Sequence, residues 1–536
     1  MADEGASFDY VIVGAGSAGC VLANRLSEGG GATVCVLEAG GPDRHPYVHI
    51  PAGFTKMLDH PGLNWCYRTE ATPNTGGRAM LYPRGKVVGG SSSINGHLYV
   101  RGQPLDYDTW GQLGNRGWSY DDVLPYFRRS EERQGGDEQF RGRSGMLHVS
   151  DVHEKHPLCE AYIEGALAAG IPPNPDYNGA TQEGVGYYQR TIRGGRRLSA
   201  ARAFLKPALK RPNVELITRA LVTRVDFAGR RASGVSYRKA GREQRVGARR
   251  EVILAGGAVN SPQLLQLSGV GPGGLLRDLG IPVVHELAGV GEGFRDHYLN
   301  RITVRTRGVR TLNERAHGWR LGLEIARWLT TRGGILAFSP AHVGVFIRTR
   351  DHLEHPDFQL TFTPASYSAG VIGTLEAAPG MTSAGWMMRP ESKGYVRARS
   401  PDPETPPAID PNYLDDPLDR GTHIAGMRRA RELLRQPALA PFFDHEVMPG
   451  EAVRSDDEWL DYARREGTTV FHAIGSCKMG RDPMAVVDDR LRVHGLERLR
   501  VVDASIMPTM PSANTNAATY MIAEKASDMI RDDARP

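Results

Sequence analysis

DYVIVGAGSAGCVLANRL, residues 9–26, combines a short apolar β-branched run, a glycine-rich turn and apolar residues at helical spacing. This order predicts a strand, a tight turn and a helix. Gly14, Gly16 and Gly19 form a G-x-G-x-x-G pattern. In that pattern the first glycine permits the turn, the second lets the backbone approach a pyrophosphate, and the third lets the helix pack on the strand.

The next apolar run, ATVCVLEAG at residues 32–40, predicts a second parallel strand that ends at Glu38. A carboxylate at that position can accept hydrogen bonds from both hydroxyls of a ribose. The two strands, the turn and the acid together predict a dinucleotide site. No arginine follows Glu38 directly, which disfavours a 2′-phosphate and therefore NADP. The glycine pattern does not by itself separate FAD from NAD.

The length of the chain indicates the number of domains, and the distribution of charge indicates which partners are expected. The chain has 536 residues, and because single cores stop growing near roughly 250–300 residues, we expect two domains. The 66 basic residues are interspersed with 61 acidic ones, so a nucleic-acid surface is not expected. The small basic cluster RGGRR, residues 193–197, is interpreted as a solvated loop, with attraction of an anionic substrate as the alternative.

Five scattered cysteines form neither a disulfide framework nor a CxxC metal site, which indicates a reducing compartment. The first residues lack the pattern of a secretory signal. No apolar run reaches the roughly 18 residues that a membrane-spanning helix needs. We therefore expect a cytoplasmic protein without a spanning segment.

Several motifs occur in order along nearly the whole chain: GSAGCVLANRLSE, GGSSSING, AGGAVNSPQLLQLSGVGP (255–272), GVGEGFRDH (289–297), GSCKMG and NTNAAT. Together they resemble the signatures of the glucose-methanol-choline (GMC) oxidoreductases, which depend on FAD. The resemblance implies an α/β fold with a Rossmann-like FAD-binding domain and a second, α+β substrate-binding domain. The choline dehydrogenases and the aryl- or furfuryl-alcohol oxidases of that family are similar throughout, so the motifs do not select a substrate.

The resemblance also implies which residues contact FAD. Some family members attach FAD covalently through a histidine at the position of Ile94, and isoleucine cannot form that bond, so the implied FAD is noncovalent. His97 lies where the family more usually has methionine and is expected to be a satisfied polar residue rather than a catalytic one. The implied contacts are Gly14, Gly16, Ser17, Gly19, Glu38, Ala39, Val88, Gly90, Asn95, Gly96, His97, Leu98, Val222, Asp503, Ala504, Asn516 and Ala517.

The middle of the chain predicts a return to the first sheet. NVELITRALVTRVDF and GVSYRK alternate apolar and polar residues and predict consecutive antiparallel strands. REVILAGGAVNSPQLLQLSG then repeats the order of strand, glycine turn and helix. We therefore expect an FAD-binding domain built from residues 1–155, 190–300 and 455–536, and a substrate-binding domain built from 156–189 and 301–454.

TVFHAIGSCKMG, residues 469–480, places His472 after a predicted strand and before a glycine-containing turn. The later PSANTNAAT segment predicts a helix start, with Asn516 in the first turn. In the GMC family a histidine and a later asparagine or histidine in these settings point at the reactive face of the flavin. Carried over, they are His472 and Asn516, with ordinary helix capping as the competing interpretation of Asn516.

The expected reaction is the oxidation of a primary alcohol to an aldehyde by hydride transfer to flavin N5. His472 would act as the general base, because neutral histidine can accept the hydroxyl proton at physiological pH. Asn516 would donate to the same oxygen, and oxygen or another electron acceptor would reoxidise the flavin. Three alternatives stay open: a hydroxynitrile lyase-type enzyme of the same family, a protein that keeps FAD as a structural element, and an NAD-dependent dehydrogenase.

Overall fold

The computed structural model describes residues 6–368 and 373–535. Two seven-stranded sheets dominate it, here called the first and the second sheet. The first sheet contains Ser7–Val13, Val34–Glu38, Val214–Thr218, Leu221–Ala228, Arg231–Lys239, Arg242–Leu254 and Leu499–Val501. The second contains Gly184–Tyr187, Tyr298–Thr306, Val343–Ile347, Phe358–Thr363, Gly380–Met387, Phe443–Met448 and Thr468–Thr469. The predicted mixed α/β architecture is confirmed.

Smaller sheets and the helices complete the fold. One three-stranded sheet contains Glu292–Phe294, Gly394–Arg397 and Ala408–Asp410. Four two-stranded sheets pair Tyr67–Arg68 with Leu81–Tyr82, Glu131–Arg133 with Leu147–Val149, Ile192–Arg193 with Arg196–Arg197, and Val270–Gly271 with His285–Glu286. The α-helices are Ser17–Leu26, Pro46–His49, Pro104–Gln112, Tyr120–Ser130, Pro157–Ala168, Lys206–Ala208, Gly257–Leu267, Gly273–Asp278, Leu312–Arg315, Gly318–Thr331, Pro417–Leu434, Asp456–Glu466 and Thr515–Asp533.

The first sheet is built around the strand that the glycine motif follows. Ser7–Val13 lies between Val34–Glu38 and Arg242–Leu254 and runs parallel to both. Its residues Val11 and Ile12 are fully buried, as expected for a parallel strand covered by helices on both faces. The predicted order of strand, turn and helix over residues 9–26 is therefore confirmed.

The predicted antiparallel pairing in NVELITRALVTRVDF is wrong for the first half of that segment. Val214–Thr218 runs parallel along Val34–Glu38. The chain then turns at Arg219, whose φ is 54°, and antiparallel pairing with Arg231–Lys239 begins only at Leu221–Ala228. One apolar alternation therefore spans two strands, because a single residue with positive φ redirects the chain between them.

The predicted return to the first sheet is confirmed by one long strand, Arg242–Leu254. Its first half pairs antiparallel with Arg231–Lys239 and its last residues pair parallel with Ser7–Val13. The helix Gly257–Leu267 follows directly. A second strand, glycine turn and helix therefore stand beside the first.

The second sheet has one face in a core and the other toward an internal cavity. Along Phe358–Thr363, Phe358, Leu360 and Phe362 pack in the core with residues of the helices Pro157–Ala168 and Pro417–Leu434. Thr361 and Thr363 face the cavity. This alternation follows from the two-residue period of a strand.

Two elements of the predicted segment 455–536 pack with the second sheet. Trp459 and Tyr462, on the helix Asp456–Glu466, are buried in its core, and Thr468–Thr469 pairs with the strand Tyr298–Thr306. The rest of that segment, from about the GSCKMG motif onward, packs with the first sheet. Within the described parts of the chain, no helix is both long and apolar enough to cross a lipid bilayer.

Replacement of Gly19 by alanine is expected to destabilise the protein. A Cβ atom at Gly19 would lie 1.9 Å from the carbonyl oxygen of Gly14, so the helix would be forced off the strand, at a cost of about 2–3 kcal/mol. This cost exceeds the gain in helix propensity of about 1 kcal/mol. Urea denaturation measures the difference from the wild type.

Gly31→Ala provides the matched control for Gly19→Ala. Gly31 has a φ of −76°, and a Cβ atom added there would meet nothing within 4 Å, so alanine is expected to leave stability unchanged or slightly higher. Equal denaturation midpoints for the two variants would contradict the assigned packing role of Gly19.

Candidate active site

A cavity of about 390 Å³ separates the carboxyl edge of the first sheet from one face of the second sheet. On the first-sheet side its wall contains both glycine turns, the end of the second strand and the start of the C-terminal helix. On the second-sheet side its wall contains side chains from three neighbouring strands, which are Leu299, Arg301, Thr361, Thr363, Thr382, Ala384 and Trp386.

The start of the helix Ser17–Leu26 is suited to a phosphate group. The helix has neither a side-chain cap nor an acidic residue in its first turn, so its first amides are available to a ligand in the cavity. Gly14 has a φ of 105°, and a Cβ atom on Gly90 would lie 2.7 Å from the Cα of Gly16. The backbone around Gly90 therefore touches the glycine turn at Gly16, and together they form part of the wall.

Glu38 lies at the end of the second strand, as predicted, and its carboxylate faces the same part of the cavity. The carboxylate accepts hydrogen bonds from the amides of Ala15, at 2.9 Å, and Gly40, at 2.8 Å. Burial raises its pKa to about 7 against the opposing effect of these two bonds. The carboxyl group is thereby held in place for a polar ligand such as a ribose.

Most of the predicted FAD contacts line this one cavity. Gly19, Val88 and Ala517 do not line it: Gly19 is pressed against Gly14, and Val88 and Ala517 are buried in the protein core. The predicted contacts that line the cavity are Gly14, Gly16, Ser17, Glu38, Ala39, Gly90, Asn95, Gly96, His97, Leu98, Val222, Asp503, Ala504 and Asn516.

His97 is buried, and both of its ring nitrogens have protein partners. Nδ1 lies 2.8 Å from the hydroxyl of Ser339, and Nε2 lies 3.2 Å from the carbonyl oxygen of Pro51. Burial holds its pKa well below the usual value for histidine. The ring is therefore neutral and held at two points beside the cavity.

His472 also lines the cavity, on a loop rather than a strand. The predicted strand TTVF extends only over Thr468–Thr469, because Phe471 has a φ of 68°. The main-chain amide of His472 donates to the carboxylate of Asp296 at 2.6 Å, and the hydroxyl of Thr469 donates to the same carboxylate. Asp296 therefore fixes the loop that carries the histidine.

A second histidine determines which nitrogen of His472 is basic. Nε2 of His297 lies 2.7 Å from the carbonyl oxygen of Met388, and Nδ1 of His297 lies 2.8 Å from Nδ1 of His472. A carbonyl can only accept, so Nε2 of His297 carries the proton. Burial lowers the pKa of His297 to about 4, so the ring is neutral and its Nδ1 is an acceptor.

The proton between the two rings therefore belongs to Nδ1 of His472. Because burial, His297 and Arg84 hold the pKa of His472 well below its usual value, this ring is neutral as well. Its Nε2 is then unprotonated and carries a lone pair. The tautomer follows from the hydrogen-bond partners of both rings, and it places a base at the cavity wall.

The carboxamide that contacts His472 is that of Asn514, not that of Asn516. Nδ2 of Asn514 lies 3.0 Å from Nε2 of His472, and its Oδ1 is buried without a partner among the described residues. Asn516 instead accepts from the hydroxyl of Ser17 at 2.6 Å. Both asparagines line the cavity, and of the two it is Asn514 that lies within hydrogen-bond distance of the imidazole.

The helix start explains why the two asparagines differ. The C-terminal helix spans Thr515–Asp533, and Asn514 is its N-cap residue. The side chain of Asn514 makes no capping hydrogen bond, and the first turn contains no acidic residue. Asn514 has extended backbone dihedrals outside the helix, whereas Asn516 lies within the first helical turn and meets Ser17 at the first glycine turn.

Sequence reasoning assigned no role to Asp296, His297 or Asn514. The signal was present, because Asp296 and His297 end the motif GVGEGFRDH and Asn514 opens the motif NTNAAT. The contacts between these motifs join residues far apart in the sequence.

The comparison with known proteins shows the family of this chain. Family models described as GMC oxidoreductase match residues 8–299 and residues 390–523. The chain belongs to the GMC oxidoreductase family. The resemblance drawn from the motifs is thereby confirmed.

Relatives of this GMC oxidoreductase cover nearly the whole chain. It is 42% identical over 528 residues to an alcohol dehydrogenase [acceptor] of Pseudomonas putida, covering 98% of this chain and 95% of that protein. It is 43% identical over 537 residues to the mitochondrial choline dehydrogenase of Homo sapiens, covering 98% and 90%. The crystal structure of pyridoxine 4-oxidase from Mesorbium loti superposes with a TM-score of 0.89 at 30% identity, covering 97% and 98%.

GMC oxidoreductases are flavoproteins that contain FAD, and the residues of this cavity fit that cofactor. The helix Ser17–Leu26 follows Gly16 and has no side-chain cap, so its first main-chain amides can bind the pyrophosphate. The carboxylate of Glu38 suits the ribose hydroxyls. Gly16 and Gly90 have no side chains, so a ligand can approach the main chain of this wall closely. The chain is therefore an FAD-dependent oxidoreductase of CH–OH donors.

The low pKa of His472 predicts the pH dependence of the reaction. The base role that the motifs imply for His472 requires its neutral form, so activity would be lost only when the pH falls through the pKa of His472 in the folded enzyme. Because that pKa is well below 6.5, kcat/KM for an alcohol is expected to stay constant as pH falls through 6.5. A pH profile of flavin reduction measures the acid limb, and a limb at or above 6.5 would contradict the assigned environment.

His297 is expected to act as a positioning residue for His472. His297→Ala removes the acceptor of the Nδ1 proton, so both tautomers of His472 become populated and kcat falls by roughly 10- to 100-fold with little change in KM. His297→Asn restores an acceptor oxygen near the position of Nδ1 and is expected to recover part of the loss. Steady-state kinetics of FAD-loaded enzyme measure both variants, and equal losses for alanine and asparagine would favour a purely structural role.

Proposed function

We propose that this enzyme oxidises a primary alcohol to the aldehyde in the cavity between the two sheets, with noncovalently bound FAD. The observation that supports this most directly is the hydrogen-bond chain from Met388 through His297 to His472, which leaves the lone pair of Nε2 at the cavity wall. Alcohol oxidation requires a base at that place, because hydride leaves readily only from a carbon whose oxygen is losing its proton.

The protein residues handle the proton and the orientation of the substrate. The alcohol hydroxyl gives its proton to Nε2 of His472, and the carbon–oxygen bond becomes a carbonyl as the carbon loses a hydride. FAD supplies the hydride acceptor when bound. The proton on Nδ1 of His472 stays hydrogen-bonded to His297 throughout, which stabilises the imidazolium that forms.

We assign the second polar contact to Asn514. Its Nδ2 can shift from Nε2 of His472 to the substrate oxygen, and its Oδ1, which has no partner among the described residues, remains an acceptor. Asn516, bonded to Ser17 at the first glycine turn, is assigned to cofactor binding. This proposal replaces the pairing of His472 with Asn516 that the motifs implied, because the carboxamide of Asn514 contacts His472 whereas that of Asn516 contacts Ser17.

Noncovalent attachment is supported by the residue at position 94. Ile94 is 4% exposed and lines the cavity, and its aliphatic side chain has no atom that bonds covalently to a flavin. Acid precipitation of the purified enzyme is the direct test, since noncovalent FAD passes into the supernatant.

Three variants test the assigned roles. His472→Ala is expected to lower the rate of flavin reduction by about 10²- to 10⁴-fold, because the proton acceptor is lost. Asn514→Ala is expected to lower it by about 10²-fold. Asn516→Ala is expected to weaken FAD retention more than the reduction rate of enzyme that still holds FAD. The rate at which the yellow flavin bleaches on anaerobic mixing with alcohols measures flavin reduction. The flavin absorbance of each purified variant before mixing measures its FAD content.

The same measurement separates the alternatives. A hydroxynitrile lyase-type enzyme or a protein with structural FAD would keep its yellow colour on mixing with every alcohol. A purified protein without flavin would point to NAD. Admission of air after reduction then tells whether oxygen or another carrier takes the electrons.

A further inference from the structure

We call residues that pair side by side across neighbouring strands of the second sheet a row. One such row carries a guanidinium group that faces the cavity. Arg301 pairs with Ala384, and Ala384 pairs with Thr361 on the next strand. Two residues further along these strands stand Leu299 and Trp386, which form the neighbouring row on the same face. Consecutive residues on one face of a strand are about 7 Å apart.

This geometry sets the distance between Arg301 and the proposed base. The ring centres of Trp386 and His472 are 6.0 Å apart, so the row of Trp386 lies beside His472. The row of Arg301 lies one step, about 7 Å, further along the same strands, away from the His297 end. A single small molecule can therefore contact both His472 and Arg301.

The surroundings of Arg301 do not neutralise its charge. Among the residues that the structure describes, no carboxylate lies within ion-pair distance of its guanidinium, which packs on the phenol ring of Tyr367. Its Cζ lies 5.3 Å from the ring centre of Tyr367. Arg305, two rows along the same strand, pairs with Glu376. A partly buried positive charge without an acid is costly, so Arg301 is a candidate for an anionic ligand.

On the second-sheet wall, the guanidinium of Arg301 is the charged hydrogen-bond donor that faces a ligand. The neighbouring hydroxyls already donate to main-chain carbonyls, so they offer lone pairs rather than protons to a ligand. These hydroxyls belong to Thr361, Thr363, Thr382 and Tyr367.

The carboxylates among the described residues that line the cavity lie on the first-sheet wall, opposite Arg301. Of the described residues that line it, Glu38 and Asp503 are the carboxylates, and main-chain amides bind both of them at the first sheet. The basic cluster RGGRR, predicted as a loop or an anion site, forms a hairpin that does not line the cavity. A cationic alcohol such as choline would thus meet a guanidinium without a neutralising acid, which is unfavourable.

We propose that Arg301 binds a carboxylate at the far end of the substrate, so that the enzyme acts on primary alcohols that are also carboxylic acids. One guanidinium matches one carboxylate in charge and in its planar two-point geometry. A phosphate dianion would require more positive charge than this wall provides. The separation of the two rows calls for a ring or a chain of several carbon atoms between hydroxyl and carboxylate. This inference rests on the proposed alcohol oxidation and names the substrate class.

Matched pairs of alcohols test the proposal on FAD-loaded enzyme. One pair is para-(hydroxymethyl)benzoate and its methyl ester, and a series of ω-hydroxyalkanoates of increasing length with their methyl esters covers other spacings. The wild type is expected to reduce its flavin with the best acid about 10- to 100-fold more efficiently, in kcat/KM, than with the corresponding ester. Choline is expected to be a poorer substrate than these acids.

Arg301→Leu is expected to abolish the preference for the acid while retaining reduction by the ester. Arg301→Lys keeps the charge but loses the two-point geometry, so it is expected to retain part of the preference. Arg307→Leu is the matched control, because Arg307 is exposed just beyond the end of the same strand; it is expected to behave as the wild type.

Binding of para-toluate, which has no hydroxyl to oxidise, gives an independent measurement by calorimetry. Its Kd is expected to rise about tenfold or more in Arg301→Leu and to stay unchanged in Arg307→Leu. Equal use of acids and esters by the wild type, or the same preference in Arg301→Leu, would overturn the role of Arg301 and leave alcohol oxidation intact. Failure of every alcohol, charged or neutral, to reduce the flavin would overturn the proposed function itself.

Discussion

The hydrogen bond between the Nδ1 atoms of His297 and His472 joins the two sheets of this molecule at the wall of the cavity. His297 immediately precedes the strand Tyr298–Thr306 of the second sheet, and His472 belongs to the loop that leads the chain back to the first sheet. Both rings are buried and neutral, because desolvation penalises their charged forms. In that environment the carbonyl of Met388, which can only accept, sets the direction of every proton in the chain of hydrogen bonds.

Asp296 makes this arrangement rigid. Its buried carboxylate accepts from the hydroxyls of Tyr82, Tyr413 and Thr469 and from the amides of its neighbour His297 and of His472. A buried charge needs such a set of donors to persist. The same donors hold the histidine loop against the second sheet, so the imidazole rings of His472 and His297 keep one relative orientation.

The cavity has two walls with different chemistry. The first sheet supplies glycine backbones, helix starts and two carboxylates, which suit a dinucleotide. The second sheet supplies small and aromatic side chains with one guanidinium that has no acid beside it among the described residues. In the proposed function, cofactor binding thus falls to the first sheet and substrate recognition to the second. The charge on the second wall differs from what the cationic substrate of its choline dehydrogenase relatives would lead one to expect.

The sequence by itself determined the glycine turn, the strand and helix around it, Glu38 at the second strand, the return of the chain to the first sheet and the family. These are local signals, since each rests on glycine conformation, apolar periodicity or a contiguous motif. The turn at Arg219, between two strands, could not be predicted from the alternation of apolar and polar residues. A single residue with positive φ does not interrupt that alternation. The tertiary structure alone decided that Asn514 rather than Asn516 contacts His472, that His297 determines its tautomer, and that Arg301 faces the cavity without an acid among the described residues. Each of these depends on the direction of a side chain toward residues distant in the chain, and that direction is set by packing between the two sheets.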